Sequence, residues 1–144
     1  MKARAFNKKL RHSDIVQAIQ SAERKTSGEI RVFISRKDIE EPLAAAEAYF
    51  LELGMNKTRE RNGVLLFFAP RKQKFAVIGD TAVHAKCGAA FWNRLTKEMS
   101  GYFEKEEFSK GIIHGIELAG ELLAAYFPRR SDDRNELSNQ VESD

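Results

Sequence analysis

The chain has one cysteine, Cys87, and no apolar run longer than the six residues Val64–Ala69. One thiol cannot form an internal disulfide, so a reducing cytoplasm is the expected setting. The apolar run falls far short of the ~20 residues that a membrane-spanning helix needs, so no spanning segment is expected. The N-terminus is charged but lacks the apolar stretch that follows it in a secretory signal. Familiar catalytic signatures are missing too: no GxxxxGK[ST] phosphate loop, no GxSxG elbow, no HExxH and no paired cysteines. Cys87 and Arg94 stand one residue too far apart for a cysteine-phosphatase loop. With no cationic cluster beside it, Cys87 reads as an inert thiol.

Basic charge is confined to one end. The net charge is +3, yet residues 1–12 carry five basic residues and no acid, while residues 128–144 carry three arginines against five acids. The intervening segment is neutral. A solvated arm explains this better than a face built for phosphate backbones, and nucleic-acid binding is not expected. The length, 144 residues, suits one core and is short for two. The expected organisation is a basic N-terminal arm over 1–12, a single domain over 13–127 and a flexible polar tail over 128–144.

Within the domain the apolar spacing predicts alternating elements. Ile15, Ala18, Ile19 and Ala22 recur at helical spacing behind Ser13 and Asp14, with Gly28 as a left-handed stop. Glu29–Ser35 alternates like a strand covered mainly from one side. Pro42 opens a helix with the stripe Leu43, Ala46, Phe50 and Leu53. Val64–Ala69 is too short for a buried helix and reads as a central strand, followed by a turn at Pro70–Gln73 and an antiparallel return over Lys74–Ile78. A helical turn over Thr81–Cys87, a helix from Ala89 and a last helix marked by Ile112, Ile116, Ala119, Leu123 and Tyr126 complete the series. The expected fold is an α/β/α sandwich with a small mixed sheet of about four strands and helices on both faces. The fourth strand is sought near Arg36–Glu40 or Thr81–Cys87.

This arrangement gathers polar residues at strand ends. Glu29 opens the first strand, Asn62 and Gly63 precede the second, and Asp80 follows the third with His84 four residues on. On one helical turn, Asp80 and His84 lie on the same side, where a carboxylate orients an imidazole or both hold a metal. The structural alternatives are that Asp80 caps the turn, His84 and Glu29 are solvated, and Asn62-Gly63 is only a tight turn.

Three segments, Thr26-Ser27-Gly28-Glu29-Ile30, Arg61-Asn62-Gly63-Val64-Leu65-Leu66 and Ile78-Gly79-Asp80, together resemble the TPM domain family, named for thylakoid, photosystem-repair and nematode receptor-modulating members. The soluble bacterial branch is nearest, through Thr58–Leu65, Asp80–Ala85 and Asp132–Leu137. The resemblance implies a sheet between helical layers. It also implies acid phosphatase activity in some members, binding of calcium or another divalent ion in some, and roles as partners in membrane-protein assembly in others. Carried onto this chain, Asp80 and His84 are the catalytic candidates, Arg61, Asn62 and Gly63 the substrate-binding ones, and Glu29 and Asp80 the ligands for calcium or magnesium. Many members have an acid where this chain has Arg61, and a cation there disfavours a hard metal ion. The resulting expectation is a monomeric accessory or interaction domain with an unidentified protein partner, with a weak phosphomonoesterase as the alternative.

Overall fold

The computed structural model describes residues 3–129 and 141–144. Strands β1 (Glu29–Ile34) and β2 (Gly63–Ala69) run parallel, from Glu29 opposite Gly63 to Ile34 opposite Phe68. Strand β3 (Lys74–Gly79) returns antiparallel to β2 after the short turn at Pro70–Lys72. Every residue of β2 is buried, which its wholly apolar side chains allow only at the centre of a sheet covered on both faces.

Two clusters divide along the strand alternation. Ile30, Val32, Ile34, Val64, Leu66 and Phe68 face helices α2 (His12–Glu23), α5 (Ala89–Glu104) and α6 (Phe108–Tyr126). Phe33, Leu65, Phe67, Ala76 and Ile78 face α3 (Pro42–Glu52), which contributes Ala46 and Phe50. Tyr49 of α3 stacks on Phe33 at 4.3 Å between ring centroids. This is the α/β/α sandwich with a four-stranded mixed sheet that the apolar pattern predicts. Close approach of α6 to α2 depends on Gly120, where an added Cβ would lie 2.8 Å from that of Ala22.

Several expectations are corrected. The segment expected to be a solvated arm contains a helix, α1 (Ala3–Lys9), whose Phe6 packs against Phe68 and Phe108, and Leu10 just beyond the helix is buried in the same core. Gly28 is not left-handed; α2 ends earlier, at Glu23, and among the described glycines only Gly54 has positive φ. Gly28 is required instead by crowding, since a Cβ there would meet Leu123 at 2.9 Å and the Asn62 carbonyl at 3.2 Å. Strand β1 is buried on both faces rather than mainly one. Leu43 and Tyr126, expected on buried stripes, are exposed in the terminal turns of their helices.

The fourth strand lies in neither expected place. It is β4 (Glu142–Ser143), supplied by the tail, and it pairs in parallel with β1 at Phe33 and Ile34. Sheet order is therefore β3-β2-β1-β4. The tail motif Asp132–Leu137 lies outside the described residues. Beyond β4, the Asp144 carboxylate accepts hydrogen bonds from Ser35 Oγ at 2.6 Å, the Arg36 amide at 2.8 Å and Tyr49 Oη at 3.0 Å. Burial by itself would raise the Asp144 pKa, but these donors outweigh it and hold the group below its usual 3.8.

Because docking lowers this pKa, ionisation above pH 3.8 strengthens the tail contact, and the contact weakens as pH falls through the lowered value. Carbon-detected NMR titration of the Asp144 carboxyl is expected to give a midpoint below 3.8. A midpoint at or above that value would contradict the docked geometry.

Candidate functional site

Strand register brings the sequence candidates to one end of the sheet. Glu29 is opposite Gly63, and Val64 is opposite Gly79, so Asn62, Gly63 and Asp80 share a rim with Glu29. Two backbone bonds stitch the rim: the Asp80 amide donates to the Gly63 carbonyl at 2.9 Å, and the Ala82 amide to the Arg61 carbonyl at 3.1 Å.

Asp80 is the N-cap of helix α4 (Thr81–Lys86), with Oδ1 accepting from the Thr81 amide at 2.7 Å. Arg61 grips the same carboxylate through Nε–Oδ2 at 2.9 Å and Nη2–Oδ1 at 3.1 Å, a bidentate fork. Arg61 sits in the left-handed region at φ 53°, a conformation uncommon for a residue with a side chain. Its side chain is 48% exposed while the Asp80 side chain is 4% exposed. The hydrogen bond to Asp80 raises the Arg61 pKa further above its already high value. His84 lies on the exposed face of α4, and among the described residues no hydrogen bond joins its ring to Asp80. The imidazole instead lies 6.1 Å from the Trp92 ring.

Asn62 is buried and donates to Ser27 Oγ at 3.1 Å and Glu60 Oε2 at 3.2 Å, while the Ser27 hydroxyl donates to the same Glu60 oxygen. Glu29 is turned to Arg31, with Oε2 3.1 Å from Nη2. Arg31 also meets Glu23 Oε2 at 2.8 Å, and that oxygen accepts the Ile30 amide at 2.8 Å. Ser27, Glu60, Glu23 and Arg31 were missed as members of this network. The available signal was Arg31 itself, a cation inside an otherwise apolar strand centre.

Taken together, the rim joins Arg61 to Asp80, and Asn62 to Ser27 and Glu60. It does not join Asp80 to His84 or Glu29. The expected metal ligands Glu29 and Asp80 each serve a different arginine, and among the described residues no three His, Cys, Asp or Glu side chains gather to hold an ion. Calcium takes about six or more oxygen ligands, which two carboxylates each paired with an arginine do not supply. At the opposite end of the sheet a cleft of about 450 Å³ is lined by Phe6, Phe68, Phe75, Phe103 and Phe108.

The TPM domain profile matches residues 3–122. The chain belongs to the TPM domain family. The BA42 protein of the psychrophilic bacterium Bizionia argentinensis, solved by NMR, is 34% identical over 92% of each chain with a TM-score of 0.85. The N-terminal domain of the cg2496 protein of Corynebacterium glutamicum, at 16% identity over 76% of this chain and 67% of that one, shares the fold with a TM-score of 0.52. No curated protein matches the chain. The family span includes α1, in keeping with the burial of Phe6 and Leu10. No helix among the described residues is long and apolar enough to cross a membrane.

Since this TPM domain uses its rim carboxylates internally, its melting temperature at pH 7 is expected to be the same in EDTA, calcium and magnesium. Arg61→Ala should lower it, and Arg61→Lys should restore only part of the loss, because an ammonium cannot reproduce the fork. Thermal unfolding checks both; a rise of several degrees with saturating calcium would reveal a bound ion by mass action.

Proposed function

We propose that this TPM domain is a protein-interaction or accessory module rather than an enzyme. The observation that carries the reading is the mutual engagement of the rim: both Asp80 oxygens are held by Arg61, and Asn62, Ser27 and Glu60 satisfy one another. A catalytic carboxylate must keep capacity for substrate or for a proton in transit, and the Asp80 carboxylate spends that capacity on joining loops, while His84 lies apart from it. The phenyl-lined cleft at the other end of the sheet supports the same reading, since apolar concave surface suits partners. A cytoplasmic monomer with a protein partner and no nucleic-acid role is the setting that best suits the chain. Its single thiol, which cannot form an internal disulfide, suits a reducing compartment.

A weak acid phosphatase is the second reading, and one contact favours it. The Ser27 hydroxyl donates to the Glu60 carboxylate, a nucleophile beside a base, on a rim where half-exposed Arg61 could hold phosphate oxygens.

Hydrolysis of p-nitrophenyl phosphate by wild type, Ser27→Ala and Asp80→Ala, with and without divalent ions, decides between them. The module reading expects no turnover above the buffer blank in any of these. Turnover that either substitution abolishes, with the circular dichroism spectrum unchanged, would establish the enzyme.

A further inference from the structure

Among the described residues, strand β1 has a neighbour along its whole length on only one side. On its outer side the Ile30 amide is taken by the Glu23 carboxylate, and among the described residues the ladder to β4 covers Phe33 and Ile34. Two ladder residues are too few to specify a partner, so recognition must come from what flanks them. On one side is the niche for Asp144, formed by Ser35 Oγ, the Arg36 amide and Tyr49 Oη, with Arg36 Nε at 3.6 Å. The Asp144 side chain is only 8% exposed there. On the other side Val141 packs against the core and borders a cleft of about 580 Å³ along α2, beside Val16, Gln17 and Gln20.

We propose that the outer edge of β1 is a docking site for an extended segment of a partner protein, with an apolar residue three positions before an aspartate, and that residues 141–144 occupy it in cis. This rests on the interaction-module reading and names its surface. The resident segment displays the ligand chemistry: an apolar anchor at Val141, main-chain pairing at Glu142 and Ser143, and a carboxylate at Asp144. Adding a strand to a sheet edge supplies affinity through the main chain, while the pockets at either end supply specificity. Charge agrees, since Arg36 and Lys37 border the niche and both attract the carboxylate. A partner segment binds by displacing the tail, so the tail acts as a built-in competitor.

Exchange is measured with the full chain and a fluorescein-labelled hexapeptide copied from residues 139–144. Asp144→Lys places a cation against Arg36 and should expel the tail, leaving the niche itself intact. Val141→Ser removes the apolar anchor by an independent route. Both variants are expected to bind the hexapeptide at least about tenfold more tightly than wild type, whose tethered tail competes at high effective concentration. A hexapeptide ending in asparagine should lose about tenfold, through loss of the charge-assisted hydrogen bonds. Equal affinity of wild type and both variants, or equal affinity for the two peptides, overturns the proposal while leaving the module reading standing. Phosphate-ester turnover would remove the module reading without altering peptide exchange. A wild-type dimer that Asp144→Lys dissolves would assign the edge to a second copy of this chain and overturn the partner assignment.

Discussion

Arg31 is 2% exposed inside a strand, and Glu23 and Glu29 meet its charge there at 2.8 Å and 3.1 Å. Burying an ion costs several kcal/mol unless it is paired and hydrogen-bonded. The pairing therefore decides where β1 can lie. Glu23 ends α2, so one carboxylate fixes that helix to the strand and also accepts the Ile30 amide. With β1 held, β2 adds in parallel beside it, and the polar rim at the sheet end is placed by register.

Carboxylates finish the outer side of β1 at two points. Glu23 closes it at Ile30, and Asp144 closes it just beyond the strand at Ser35 and Arg36. An unpaired edge invites association with other chains, and among the described residues this fold covers its edge with side chains and two residues of tail. The covering has unequal strength. Glu23 belongs to a helix packed in the core, whereas Asp144 is held by a short segment at the end of the described chain. The edge is thus closed at one point by a helix of the core and at the other by a short terminal segment. On the rim, Arg61 and Asp80 join the second and third strands in the same manner, with charge used for closure.

Which parts were legible follows from the range of the interactions. The β2 run, the proline-led α3 and the α6 stripe carry local patterns, and the sandwich with a mixed sheet follows from them. Helix α1 was obscured because Phe6 and, just past its end, Leu10 are set among cations in the sequence. Strand β4 has two residues and no pattern of its own; its place is set by bonds from Asp144 to residues about a hundred positions away. At the rim, the convergence of Asn62, Gly63 and Asp80 was readable from strand ends, but the partner of Asp80 was not. An N-cap side chain turns back to the first-turn amides, so the four-residue spacing that pairs side chains inside a helix did not bring it to His84.

The most direct test of a self-compensating charge network is the stability of Arg31→Met and of the triple variant Glu23→Gln/Arg31→Met/Glu29→Gln, by urea unfolding at pH 7. The single change removes the guanidinium that both carboxylates share and is predicted to cost about 3 kcal/mol or more, most of which the neutral triple variant recovers. A single variant within about 0.5 kcal/mol of wild type would contradict the account.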